Sequence, residues 1–236
     1  MIGARVVVKR GGKSEAEKPF WISFADLMTA LMVLFLVVMA VALLAVTKTV
    51  SEEEAKKAAH AADIDDCILR AANAAKSYPG VKVDLQRKVI DFGDKARFGL
   101  ASSGLSPGQE GVLRQFVPEL LEMAGTGSCK HVLKRIVVEG YTDPTGTYLS
   151  NLNLSLLRSQ RVLCAMFRTD GPYPLNNVQK ESVRDLFLVG GFAFNSTKTT
   201  NEESRRVEMR LEFLGVGESR QRHSAGSTVF GTCALP

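Results

Sequence analysis

Charge is what the first part of this chain lacks. Between Pro19 and Thr47 there are 29 residues, and Asp26 is the one that carries a charge. As a helix this run extends about 43 Å at about 1.5 Å per residue, enough to cross a bilayer with some tilt. No later run approaches 18 apolar residues, so a single span is expected. A secretory signal peptide does not fit, because its apolar core is shorter, ends at a small-residue cleavage site and holds no acid in its middle.

Other features are scarce too. There is no Cys-x-x-Cys, and His60, His131 and His223 are scattered. No metal site and no organic cofactor are therefore expected. The net charge of +5 is modest, and no block of basic and aromatic residues points to nucleic acid. Neither paired acids nor a Ser-His-Asp arrangement suggests catalysis, so no enzyme and no catalytic residue is expected. No cysteine precedes the span. Cys67, Cys129, Cys164 and Cys233 all follow it, as disulfide candidates in a compartment where such bonds persist. Four cysteines allow three pairings, and spacing does not choose among them.

What is present begins with Asp26. A carboxylate within a membrane helix costs roughly 2.5–3.5 kcal/mol on insertion scales, and a group kept at that cost serves as an ion or proton site facing protein or water. Ser23 and Thr29 lie beside it and suit either ion, with H+ favoured and Na+ the alternative. Arg5, Lys9, Arg10, Lys13 and Lys18 precede the span. They place the N-terminus in the cytoplasm and the rest in the periplasm of a bacterial inner membrane. The expected organisation is a cytoplasmic basic tail over 1–19, a transmembrane helix over 20–46, a helical linker or plug over 47–80, a folded domain over 81–214 and a C-terminal tail over 215–236. Ser51-Glu52-Glu53-Glu54 reads as an N-cap with acids in the first turn of a helical stretch from Val50 to Lys76, which Tyr78-Pro79-Gly80 ends and which continues the membrane helix, forms a dimer seam or acts as a linker.

From Val81 the pattern is α/β. One or two strands are expected over 81–92, a helix from Ser106-Pro107-Gly108 to Ala124, and a buried strand over Val132–Glu139. A helix over Ser150–Phe167 follows, with strands at Leu186–Val189 and Val207–Phe213. Strands alternating with helices imply βαβ units and a sheet covered on one face. Glu139-Gly140-Tyr141-Thr142-Asp143 leaves the buried strand and turns. Asn151, Leu154, Ser155 and Arg158 then recur on one helix face. Asp143 and Arg158 are expected at the mouth of a shared cleft. They suit a zwitterion, the acid taking an ammonium and the arginine a carboxylate through two parallel hydrogen bonds. The alternative is a structural salt bridge between Asp143 and Arg158.

Residues 140–158, with Thr142-Asp143-x-x-Gly146 and Asn151-x-x-Leu154-Ser155-x-x-Arg158, resemble the peptidoglycan-binding signature of the OmpA C-terminal family. Phe98-Gly99 to Leu105-Ser106-Pro107 resembles its opening segment, and Arg205-Arg206-Val207-Glu208 its closing strand. The resemblance covers roughly 81–214. It implies an OmpA-like βαβ-type domain that binds the meso-diaminopimelate stem peptide through Asp143 and Arg158, with Thr142, Asn151 and Leu154 in the same motif. Tyr141 departs from it, since the family usually has histidine there.

At the other end, Trp21-x-Ser23-Phe24-Ala25-Asp26-Leu27-Met28-Thr29 resembles the ion-accepting motif of the flagellar stator family MotB. The longer run from Phe24 to Phe35 is closer still to the ZorB family, the MotB-like subunits of the Zorya anti-phage defence system. That resemblance implies a homodimer inside a ring of five MotA/ZorA-like membrane subunits, with Asp26 accepting the permeating ion and the C-terminal domain gripping the wall. A flagellar stator and a passive membrane-tethered wall binder are the alternatives. TolR and ExbD fit less well, because they lack an OmpA-like domain.

Overall fold

In the computed structural model, residues 18–220, 228–233 and 235 are described, with side chains from residue 21 onward. The basic residues Arg5, Lys9, Arg10 and Lys13, and the side chain of Lys18, lie outside the described set. The chain divides into two compact units, Met1–Lys56 and Lys57–Pro236.

The first unit is helical. Helix α1 runs unbroken over Lys18–Ala75, so the helical stretch expected from Val50 continues the membrane helix, and Ser51 is not an N-cap. The reason is compositional: no Gly or Pro occurs between Phe20 and Tyr78, and nothing else in the sequence interrupts the backbone ladder. The hydroxyls that compete with such a ladder instead close on it, with Thr47 Oγ1 donating to Leu43 O at 2.9 Å and Thr49 Oγ1 to Val46 O at 2.9 Å. Within α1 an 18-residue window has a mean hydropathy of 3.0, long and apolar enough to cross a membrane. Residues 21–59 are exposed throughout.

The second unit starts earlier than the expected 81. The end of α1 contributes Cys67, Ala71 and Ala75 to the hydrophobic core, and His60 Nε2 lies 2.8 Å from Leu214 O. Small residues on that face let the helix sit close, so the stretch from Lys57 is part of the fold rather than a free spacer. Only 47–56 of the expected linker or plug falls outside it.

The hairpin of β1 (Lys82–Asp84) and β2 (Val89–Asp91) is followed by a single 3-10 turn at Gly93–Ala96. Helix α2 (Pro107–Gly125) opens on a Ser106–Gln109 capping box, as its Ser-Pro start leads one to expect. A short turn α3 (Cys129–Val132) leads into β3 (Leu133–Gly140). Helices α4 (Tyr148–Phe167) and α5 (Asn177–Leu186) then carry the chain to β4 (Phe187–Gly191), which pairs parallel with β3. This is the expected βαβ unit. A last turn, α6 (Asn201–Ser204), precedes β5 (Val207–Phe213), which lies antiparallel between β2 and β3. The strand order is β1-β2-β5-β3-β4.

One sheet face presents Ile90, Ile136, Val138, Val207, Met209 and Leu211 to a core filled by Leu113, Phe116 and Leu120 of α2 and by Val162 and Met166 of α4. The other face is a lattice of ion pairs. Arg210 grips Glu139 with Nε at 2.6 Å and Nη2 at 2.9 Å, Arg206 Nε meets Glu208 at 2.7 Å, and Arg87 Nη2 meets the same acid at 2.8 Å. Glu139 and Glu208 are buried, and such charges are tolerated only when paired.

The cysteines form two bridges, Cys67–Cys129 and Cys164–Cys233. The first fastens α1 to the start of α3. The second pins the C-terminal segment to α4, where Phe230 packs on Phe167 with ring centroids 4.9 Å apart. Cys67 and Cys129 are 62 residues apart, and opening a link of that span costs roughly 2–5 kcal/mol. Replacing both with serine should lower the unfolding temperature measured by calorimetry. An unchanged temperature would show that the bridge adds nothing to the packing around it.

Candidate functional site

The cleft is built by a close approach. At Gly140, on the end of β3, a Cβ would lie 1.8 Å from Ser155 O. At Gly191, on the end of β4, it would lie 2.8 Å from both Leu156 N and Ser155 Oγ. Two glycines on neighbouring strands therefore let α4 press directly on the strand ends. Ser155 seals the contact, its Oγ accepting from Ala193 N at 3.0 Å and donating to Leu152 O at 2.8 Å.

The loop between β3 and α4 is closed by its own side chains. Asp143 Oδ1 accepts from Thr145 N at 2.9 Å. Asn151 Nδ2 donates to Thr145 O at 2.9 Å and to Thr147 O at 3.2 Å. Gly146 turns the chain with φ +96°, a conformation that glycine takes without a Cβ clash. Thr147 caps α4 by accepting from Ser150 N. The result is a cleft of about 280 Å³ lined by Thr142, Asp143, Asn151, Leu154 and Arg158, with Leu100 and Ala101 on the far wall. All five residues singled out for wall binding thus line one cavity. The buried Thr142 Oγ1 has no hydrogen-bond partner among the described residues.

Asp143 and Arg158 do not pair with each other. Asp143 Oδ2 accepts instead from Arg205 Nη1 at 2.9 Å. Arg158 is fully buried, not at a cleft mouth as expected. Its Nε donates to Ser102 O at 2.9 Å, Nη1 to Tyr141 O at 2.7 Å and Nη2 to Gly99 O at 3.0 Å, and the group lies 5.0 Å from the Phe98 ring centroid. It therefore ties the 98–102 loop to the β3 end, at the floor of the cleft. Burial lowers the Arg158 pKa to about 10, against the pull of Asp143, so the group stays charged at neutral pH. For Asp143, burial pushes upward, but the Arg205 hydrogen bond and the Thr145 donors outweigh it, holding the carboxyl below its ordinary range.

Tyr141 turns away from the cleft. Its hydroxyl donates to Glu139 Oε2 at 2.8 Å, and Arg206 stacks 4.3 Å from its ring centroid. Only its carbonyl serves the site, so an aromatic residue in place of histidine alters the opposite sheet face. Sequence reasoning missed the roles of Leu100, Ala101 and Arg205. Arg205 stands in the Arg205-Arg206-Val207-Glu208 run that resembles a closing strand, and nothing local in the sequence names its partner.

On α1, Ser23, Asp26 and Thr29 follow at three-residue steps on one face, with Ile22 and Ala25 beside them. Thr29 Oγ1 donates to Asp26 O at 2.9 Å. Its hydroxyl proton is thereby engaged with the backbone, leaving the oxygen to face the carboxylate's surroundings as an acceptor.

A family model described as membrane MotB of the proton-channel complex MotA/MotB matches residues 7–60. The Zorya protein ZorB of Escherichia coli O139:H28 is 40% identical over 228 residues, covering 94% of this chain and 92% of that protein. Among solved structures, the OmpA-like domain of FopA1 from Francisella tularensis is 16% identical with a TM-score of 0.37, over 57% of this chain and 83% of that one. The periplasmic domain of Helicobacter pylori MotB is 17% identical with a TM-score of 0.36, over 53% of this chain and 81% of that one.

If the cleft depends on the close approach at Gly140, then Gly140→Ala should force α4 off the strand end and cost about 3 kcal/mol. Gly108 in α2 meets nothing within 4 Å, so Gly108→Ala should be neutral or stabilising by up to about 1 kcal/mol. Denaturant unfolding of the two variants gives the comparison. Equal stabilities would remove the strand-end contact as the basis of the site.

Proposed function

The chain belongs to the ZorB family and is a MotB-like stator subunit, and from that premise we propose that it is the wall-anchored subunit of a proton-driven rotary motor used in anti-phage defence. Membership implies a MotA-like membrane partner, and the subunit is structural rather than enzymatic. In the proposed assembly two copies stand inside a ring of five such partners, with the N-termini cytoplasmic and the 57–236 units periplasmic.

The observation that carries this reading is Asp26, the sole charge in the apolar run 19–47, whose residues from 21 onward are all exposed. A proton reaching Asp26 neutralises it and lets the side chain pass along an apolar ring wall. Releasing the proton on the other side restores the charge and drives the next step. Each charge crossing the membrane releases about 2.3 kcal/mol per 100 mV. Ser23 and Thr29 supply oxygen atoms beside the path. A passive tether needs no acid in its span, which separates the two readings.

The cleft is the proposed anchor. Asp143 takes the ammonium of a meso-diaminopimelate stem peptide. Arg158 attracts its carboxylate from the cleft floor, Leu154 packs against its carbon chain, Thr142 forms part of the wall and Asn151 holds the loop. The alternative of a salt bridge between Asp143 and Arg158 finds no support, because Asp143 is paired with Arg205.

Two experiments test the two halves. Asp26→Asn keeps the size and removes the titration. It should insert and assemble normally, yet abolish both proton flux in liposomes holding the partner and protection against phage. Retention of both activities would sink the motor reading. For the anchor, Asp143→Asn should abolish pull-down of the full chain by purified sacculi while leaving the fold intact. Arg158→Ala should lose binding and also stability, by roughly 3 kcal/mol or more, because three carbonyls lose a charged donor. Wild-type pull-down by Asp143→Asn would contradict the assignment.

A further inference from the structure

Arg205 closes the back of the cleft. Its Nη1 donates to Asp143 Oδ2 at 2.9 Å, its Nε to Phe98 O at 3.1 Å and its Nη2 to Glu202 Oε1 at 3.0 Å. The backbone is fixed as well: Arg205 O accepts from Phe98 N at 2.9 Å, and Arg205 N donates to Asn201 O at 3.2 Å. The guanidinium is thus held at three points, and it is not among the residues that line the cleft. It meets Asp143 from behind.

The other carboxylate oxygen is held too, by Thr145 N. Donors on both oxygens fix the plane of the carboxylate, and a carboxylate has about four lone-pair sites, which leaves acceptor capacity for a cation arriving in the cleft. We propose that Arg205 is a positioning residue for ligand recognition: it orients the Asp143 carboxylate and supplies a fixed positive charge behind it, without touching the ligand. This rests on the reading of the cleft as the diaminopimelate site. A mobile latch that occupies Asp143 until ligand arrives is the competing picture, and the three anchors argue against it.

The inference has a pH signature. Burial disfavours the charged form of Asp143, and the Arg205 hydrogen bond is the largest of the contributions that offset it, ahead of the Thr145 donors. The other charges facing the pair are Arg158 of α4 and Glu202 of α6. Without Arg205, burial is opposed by Thr145 and the Arg158 charge alone. Asp143 then takes up a proton at higher pH, and capture of an ammonium group is lost as pH falls through that higher value.

The test is calorimetric titration of the full chain in detergent with a soluble stem tripeptide ending in meso-diaminopimelate, from about pH 4 to about pH 8. Arg205→Gln should bind about tenfold more weakly at neutral pH and lose binding at a higher pH than wild type. Arg205→Lys should restore the acid limb but recover only part of the affinity, since an ammonium keeps the charge and not the fork. Should Arg205→Gln fail to fold, Arg205→Lys decides: weaker binding than wild type at neutral pH supports the inference, and wild-type affinity overturns it. Melting temperatures recorded alongside separate a purely structural role, which lowers stability and leaves the acid limb of the folded protein in place. If wild type binds and Asp143→Asn does not, while Arg205→Gln matches or exceeds wild type, the positioning role is wrong and the cleft reading stands. If wild type does not bind, or Asp143→Asn binds equally well, the cleft reading itself fails, and this inference with it.

Discussion

An ionisable side chain cannot sit alone in hydrocarbon, and Asp26 is the only charge in nearly thirty residues of apolar helix. That single constraint governs how the molecule works. The side chains beside it, Ile22 and Ala25, are apolar, and the nearest hydroxyl proton is engaged with the backbone. In the proposed motor a MotA-like ring supplies the walls around the carboxylate, and protonation switches its charge. The helix then does its work by titration rather than by conformational change of its own.

The second unit meets a different constraint, that of bringing opposite charges together without letting them cancel. The fold separates them. Arg158 is committed to the carbonyls of Gly99, Ser102 and Tyr141, so it stays at the cleft floor as a fixed charge. Asp143 is turned toward Arg205, 62 residues away in sequence. Both arrangements require α4 to lie hard against the strand ends, which the bare backbones at Gly140 and Gly191 permit. Beneath them, the paired acids of the outer sheet face and the Cys67–Cys129 bridge hold β3, β5 and the end of α1 in place.

Much of this was legible in the sequence, and the parts that were not share a physical cause. The span, Asp26, β5 and the Gly140–Arg158 motif announce themselves through local pattern: one acid in an apolar run, strict alternation, helical spacing. Helix α5 went unread because its apolar residues are few, although Asn176 and Gln179 form a capping box that signals its start. The N-cap expected at Ser51 does not form, because a capping preference cannot end a helix that nothing else interrupts, and the stretch continues the membrane helix. Three features depend on contacts across long sequence distances: the pairing of the cysteines, the packing of Ala71 and Ala75 into the core, and the attachment of Asp143 to Arg205. No periodicity reports such contacts. The Tyr141 departure also changed meaning once its ring was seen to face Glu139 and Arg206 rather than the cleft.

Whether Asp26 is the group that takes up and releases the ion can be observed without reference to torque or defence. Infrared difference spectra, taken between high and low pH on lipid vesicles holding this chain with its MotA-like partner, report protonated carboxyl groups by their C=O stretch. A band that grows as the pH falls, persists after the carboxylates outside the apolar span are accounted for, and vanishes in Asp26→Asn is the expected result. A spectrum that Asp26→Asn leaves unchanged would contradict ion carriage by this residue.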